Sequence, residues 1–225
     1  MTWVKICGMT NLEDALTAVD AGADAVGFVF YEKSPRNVTV ATAREIVGKL
    51  PEGVEKVGVF VDLEPASIRD IVLSVGLSVV QLHGKDSKDC LWQDEQPAME
   101  WVGASKLIRM IPGNTLAAEG ILVSDSVREQ TFAFLIDSQV NGVGGGTGLA
   151  FDWEGTRGMV HAMSLMVPVI VAGGLTPVNV REAIRTFQPF GVDVASGVEA
   201  RQGKKDPEKV RAFVNAVRET DRQNQ

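Results

Sequence analysis

A chain of 225 residues, 45% of them hydrophobic, can bury a full core and fits one larger α/β domain or at most two small ones. A net charge of −7 and a pI near 5.0 give nucleic-acid binding no electrostatic support, so an anionic ligand would need local backbone amides or single arginines. Cys7 and Cys90 lack metal-ligand spacing and are too few for a disulfide framework, and no signal peptide or bilayer-length apolar run is present, so a cytoplasmic protein without membrane partners is expected.

Short β-branched runs recur along the chain, each followed by helical spacing. The first, Trp3-Val4-Lys5-Ile6-Cys7-Gly8, alternates so that Lys5 and Cys7 share one face of a strand. Burying a lysine is costly unless it is paired, so this strand is read as building a site rather than a core. Asn11 caps a helix reaching Ala21, with Glu13 and Asp14 in its first turn, and Gly22 ends it. Asp24 to Phe30 is the second strand; Ser34-Pro35-Arg36 lies in the loop before a helix from about Thr39 to Leu50. A third strand, about Lys56 to Val61, leads to a helix that starts at Glu64-Pro65, reaches about Val75 and stops at Gly76.

The fourth strand is Ser78 to His83, and a weaker helix is placed near Ser87 to Gln93. A fifth strand is expected around Glu100 to Met110, a sixth over Phe132 to Asp137, then a glycine-rich stretch from Asn141 to Gly148. A helix from about Asp152 to Met166 precedes the seventh strand, Val167 to Ala172. Thr176-Pro177 is read as the cap of the next helix, ending near Phe187. The eighth strand, Gly191 to Ser196, gives way to a helix from Asp206 to about Glu219 and a fraying polar tail from about residue 220. Strands apolar on both faces, alternating with helices, predict an α/β fold: a (β/α)8 TIM barrel of eight parallel strands with outer helices, in one domain over residues 1–225. An open doubly wound sheet would carry its glycine fingerprint after the first strand, and Cys7-Gly8-Met9-Thr10 is none.

In such a barrel the working groups sit at the C-terminal strand ends. Gly173 and Gly174 after strand seven, and Ser196 and Gly197 after strand eight, leave backbone N–H groups unshielded for a phosphate, and Gly145 and Gly146 after strand six could close over the same anion. The alternative is that these glycines only permit tight turns, but three such loops at one rim favour phosphate. Cys7 is either a small buried hydrophobe or, with Lys5 favouring its thiolate, a base or nucleophile. Asp137 is either a cap or a catalytic acid, and the glycine loop after it weakens the capping reading. Gln81 and His83 share a strand face, His83 as a hydrogen-bonded rim residue or a proton carrier. Lys5 also suits an internal ion pair with Asp193 or Asp137. Arg36 is most simply a solvated charge, although its fork fits a substrate carboxylate.

The chain resembles a known family. Val4-Lys5-Ile6-Cys7-Gly8-Met9-Thr10, Asp24-Ala25-Val26-Gly27-Phe28-Val29-Phe30, Ser34-Pro35-Arg36, Val57-Gly58-Val59-Phe60-Val61, Val80-Gln81-Leu82-His83-Gly84, Gly145-Gly146-Thr147-Gly148, Ala172-Gly173-Gly174-Leu175 and Asp193-Val194-Ala195-Ser196-Gly197-Val198-Glu199 together resemble the phosphoribosylanthranilate isomerase family of tryptophan biosynthesis, in order and over nearly the whole chain. The resemblance implies an Amadori rearrangement of an aminoaldose phosphate to an aminoketose phosphate. It implies Asp137 as general acid, Cys7 as general base, Arg36 on the anthranilate carboxylate and the glycine loops on the phosphate, with neither metal nor organic cofactor. A monomer or homodimer acting on a small phosphosugar is expected. Rival readings are another phosphosugar barrel, such as an epimerase or an indole-forming synthase, and a non-catalytic phosphate-ligand sensor that would not need the Cys7–Asp137 pair.

Overall fold

In the computed structural model, which describes residues 1–83, 106–112, 125–137 and 153–224, eight parallel strands close on themselves in sequence order. They are β1 (Trp3–Cys7), β2 (Ala25–Phe30), β3 (Glu55–Val61), β4 (Val79–His83), β5 (Lys106–Pro112), β6 (Ala133–Asp137), β7 (Val169–Ala172) and β8 (Gly191–Val194). Between and after them run α1 (Leu12–Asp20), α2 (Val40–Val47), α3 (Pro65–Val75), α4 (Asp125–Gln130), α5 (Trp153–Ser164), α6 (Val180–Phe187) and α7 (Pro207–Gln223). The expected barrel is therefore the observed one. The helix expected near 87–93 lies outside the described residues. Among the described residues no helix is long and apolar enough to cross a membrane.

Two apolar layers follow from strand alternation. Val4, Ile6, Val26, Phe28, Phe60, Val80, Leu107, Phe134, Val171 and Val192 point outward and form the main core with the helices. Ala25, Val57, Val79, Ile108, Ala133, Leu135, Ile170 and Ala172 fill the barrel itself. Its N-terminal end is closed by aromatic rings: Trp3 stacks on Phe190, Phe132 meets Phe190 edge-on, and the Lys106 ammonium lies over the Phe132 ring. A filled floor leaves the opposite, C-terminal end as the face on which the loops can build a site.

Local signals account for several helix ends. Asn11 accepts from the Asp14 N–H at the start of α1, Thr39 does the same for Thr42 at α2, and Gly76 ends α3 with φ +78°. Three expectations are corrected. The helix expected from Thr176-Pro177 begins at Val180, because Thr176 and Asn179 first bond one another: the Thr176 N–H donates to Asn179 Oδ1 at 2.7 Å and the Asn179 N–H to Thr176 Oγ1 at 3.4 Å. Strand β5 runs to Pro112 rather than stopping at Met110. The expected fraying tail is instead the last turn of α7, with Thr220 and Asp221 buried.

That last turn ties the ends of the chain together. Asp221 accepts from the Thr2 N–H (3.0 and 3.1 Å) and from Thr2 Oγ1 (2.6 Å), while Arg218 donates to the Thr2 carbonyl and to Asp24. Asp221→Ala would strand a buried N–H and a hydroxyl, at about 1–3 kcal/mol. For a chain of this size we expect thermal denaturation to show a Tm lower by about 2–4 °C per kcal/mol lost. An unchanged Tm would mean that the turn is not holding the N-terminus.

Candidate active site

Strand parity decides which side chains enter the barrel. Lys5 and Cys7 follow Trp3 inward on β1, Gln81 and His83 follow Val79 on β4, Asp137 follows Ala133 and Leu135 on β6, and Asp193 follows Gly191 on β8. Cys7, His83 and Asp137 are the last residues of their strands, so all three stand at the C-terminal mouth. Strands β7 and β8 separate β6 from β1, which sets Asp137 and Cys7 on different sides of that mouth.

Beneath them lies a buried ion pair. Lys5 is fully buried, and its Nζ sits 3.1 Å from Asp193 Oδ1, its register partner across the β1–β8 seam. Of the two acids considered for Lys5, Asp193 is thus the partner. The two atoms are close but misaligned for a hydrogen bond, and with Gln81 Oε1 they are buried polar atoms lacking a hydrogen-bond partner. Burial works against the ammonium, but Asp193 and then Cys7 hold the Lys5 pKa above its ordinary value.

Burial likewise pushes the Cys7 thiol up, and Lys5 only partly opposes the shift. The expectation that Lys5 would favour the thiolate is met in direction and outweighed in magnitude, since Lys5 already serves Asp193. On β2, Gly27 supplies the room that Cys7 and Lys5 occupy: a Cβ there would fall 2.8 Å from Cys7 Sγ and 3.0 Å from Lys5 Cε. Its carbonyl also accepts from the Gly8 and Met9 N–H groups, fixing the chain just beyond Cys7. Sequence reasoning missed Gly27 because a strand glycine carries no chemistry of its own; its signal was a glycine at an inward position of β2, in register with Cys7. His83 bonds the Gln81 amide, and burial together with the Lys5 charge lowers its pKa to about 4, which favours a neutral rim residue over a proton carrier.

Arg36 is the largest departure from expectation. Its side chain is only 12% exposed, so it is no solvated charge. It crosses Gly8, where φ is +83° and a Cβ would meet Arg36 Cδ at 2.6 Å. Its Nε donates to Glu199 Oε1 at 2.7 Å and its Nη2 to Glu199 Oε2 at 2.8 Å. Glu199 belongs to a two-stranded addition, β9 (Glu199–Arg201) and β10 (Lys204–Lys205), that follows the barrel. Lys205, buried, reaches Glu199 Oε1 and the Ala195 carbonyl, both at 3.0 Å. Burial disfavours the Glu199 carboxylate, but Arg36 and Lys205 outweigh it and hold its pKa below the ordinary range.

The loops after β7 and β8 meet at the same rim. Gly173 and Gly174 both have positive φ, +83° and +63°, and Ser196–Val198 form a single 3₁₀ turn. A Cβ at Gly197 would lie 1.8 Å from the Leu175 carbonyl, so the two loops touch backbone to backbone. The structure thus brings Gly173, Gly174, Ser196 and Gly197 to one side of the mouth. Gly145 and Gly146 lie outside the described residues, as does Cys90.

Comparison with known proteins agrees with this geometry. Residues 4–216 match the family model described as N-(5'phosphoribosyl)anthranilate (PRA) isomerase. The chain is 44% identical over 214 residues to the N-(5'-phosphoribosyl)anthranilate isomerase of Pseudomonas fluorescens (strain Pf0-1), covering 95% of this chain and 97% of that one. It is similar to the crystal structure of phosphoribosyl anthranilate isomerase from Thermotoga maritima, with a TM-score of 0.79, 37% identity, and coverage of 97% of this chain and 100% of that one. A phosphoribosyl anthranilate isomerase crystallised with reduced 1-(o-carboxyphenylamino)-1-deoxyribulose 5-phosphate gives a TM-score of 0.76 at 36% identity, with the same coverage of each chain.

Two measurements check the geometry. Between the ordinary histidine value of 6.5 and about 4, the unfolded chain binds a proton that folded His83 refuses, so stability should fall as pH drops through that window. NMR titration should find the His83 ring neutral at pH 5.5, and His83→Gln should lessen the loss of stability between pH 7 and pH 4.5; a ring titrating near 6.5 contradicts the neutral assignment. Gly27→Ala should destabilise by about 1–3 kcal/mol through overpacking, read as a lower denaturation midpoint.

Proposed function

The chain belongs to the N-(5'-phosphoribosyl)anthranilate isomerase family, and on that premise we propose how its own residues divide the chemistry. The reaction is the Amadori rearrangement of N-(5'-phosphoribosyl)anthranilate to 1-(2-carboxyphenylamino)-1-deoxyribulose 5-phosphate in tryptophan biosynthesis. The whole site is carried by one barrel domain over residues 1–225. One observation carries the division of roles: a thiol and a carboxyl end inward-facing strand positions on separate sides of a single barrel mouth.

Asp137 is the general acid. It gives its proton to the ribose ring oxygen as the C1–O bond breaks, and the anthranilate nitrogen lone pair forms the C=N⁺ bond of an iminium ion. Cys7 is the general base. It takes the proton from C2; the C–H electron pair becomes a C1=C2 bond and the C=N pair returns to nitrogen. The resulting enaminol tautomerises to the aminoketose. The iminium is the electron sink, so the chain's residues need only place and move protons. Arg36 binds the anthranilate carboxylate, while the backbone around Gly173, Gly174, Ser196 and Gly197 binds the phosphate. Gly145 and Gly146 are assigned to the same anion. His83 stands at the rim of the pocket, and Lys5, Gln81 and Asp193 line it beneath.

Cys7→Ser replaces the base by a hydroxyl far too weakly acidic to ionise, and Asp137→Asn replaces the acid by an amide. We expect each to lower kcat by about 10²–10⁴-fold, the usual worth of positioned acid–base groups. Affinity for the product analogue should change little. Turnover followed by loss of substrate fluorescence gives the rates, and near-normal kcat in either variant overturns that residue's role.

A further inference from the structure

Arg36, half-buried, and Lys205, buried, are two cations that share one carboxylate. Both of Glu199's oxygens are engaged: Oε2 by Arg36, and Oε1 by Arg36 and Lys205 together. Neither cationic side chain touches another carboxylate among the described residues. The cluster is therefore one negative charge short, beside a mouth read as taking a carboxylate. Glu199 occupies the Nε/Nη2 edge of the guanidinium, and among the described residues nothing bonds Nη1. The remaining edge of the fork, Nη1 with the second Nη2 proton, is a ready bidentate donor.

Glu199 is itself held from several sides. Lys205 bonds its side chain, Lys209 bonds its carbonyl at 2.9 Å, and the Lys205 N–H is fixed by Asp14 at 2.8 Å. A long arginine free to sample rotamers loses affinity in ordering them, whereas one clamped along a side edge does not. We propose that Glu199 is a positioning residue of the isomerase reaction: it clamps Arg36 so that the guanidinium's open edge faces the substrate carboxylate, and Lys205 holds Glu199 in place. Because Lys205 also bonds the Ala195 carbonyl, directly before Ser196 and Gly197, the same clamp ties the carboxylate end of the pocket to the phosphate loop. This inference rests on reading Arg36 as the carboxylate-binding residue.

The test compares two probes by calorimetry: reduced 1-(o-carboxyphenylamino)-1-deoxyribulose 5-phosphate, and its phenylamino counterpart without the carboxylate. For Glu199→Gln, Kd for the carboxylate probe should rise by about 10-fold or more, with KM rising alongside, while Kd for the other probe and kcat stay within about threefold. Glu199→Asp should recover part of the loss. Equal weakening of both probes, or none, overturns the clamp and leaves Glu199 as a counter-ion to Lys205. Arg36→Met separates the two readings. If it weakens both probes alike, the carboxylate role of Arg36 fails and takes the clamp with it; if it discriminates while Glu199→Gln does not, only the clamp fails. Should Glu199→Gln not fold, the double variant Glu199→Gln/Lys205→Met removes the stranded cation and is judged by the same outcomes.

Discussion

The barrel closes where β1 meets β8, and the Lys5–Asp193 pair sits on that seam. Closure joins the first strand to the last, so it is the least local contact in the fold and the one that chain entropy opposes most. A slip of one residue would set Lys5 opposite Val192 or Val194 and turn its side chain out of the barrel. Leaving a buried ammonium without its partner costs about 3–5 kcal/mol, enough to reject the wrong register in a protein of ordinary stability. The pair thus fixes how the first strand sits, and with it where Cys7 points. On the outside of the same seam, Thr2, Asp24, Arg218 and Asp221 bind the two ends of the chain to each other.

The charges around the mouth follow one pattern. Around the mouth of this acidic chain, several cations are each anchored by a carboxylate brought from another element. Lys5 has Asp193; Arg36 and Lys205 have Glu199. Against burial, Asp193 holds the Lys5 pKa above its ordinary value and Glu199 does the same for Arg36, so both stay charged and oriented. Glycine serves the same end. Gly8 lets the Arg36 stem cross, Gly27 makes space for Cys7 and Lys5, and Gly197 lets two loops touch.

Features set by a few neighbouring residues were legible in the sequence. The Asn11 cap, the helix stop at Gly76 and the alternation of β1 all act within about four residues, and each was read correctly in kind. What escaped depended on distant partners. Arg36 reads as solvated until Glu199, 163 residues later, closes on it. The polar turn at Thr220 and Asp221 reads as a fraying tail until Thr2, across 219 residues, gives it a donor to satisfy. At Thr176 the error was local: Thr-Pro is a fair helix start, but Asn179 offered the backbone a competing turn. The positional rule for strand ends found Cys7, His83 and Asp137, because parity and strand length suffice for that; the electrostatics that tune them needed the assembled barrel.

The raised pKa of the Cys7 thiol bears on the order of steps under the proposed roles. A thiolate is the stronger base, but burial keeps the resting side chain largely protonated, with the nearest ammonium already committed to Asp193. Docking the anthranilate carboxylate on Arg36 would cancel another nearby positive charge and make ionisation harder still. The one event that reverses this balance is ring opening, which places an iminium cation beside C2. That cation both acidifies the C2–H bond and favours an anion at Cys7 across a short, poorly screened distance. Proton donation by Asp137 must then precede proton removal by Cys7, and a thiol held neutral in the empty site is spared needless reactivity until the substrate itself supplies the charge that activates it.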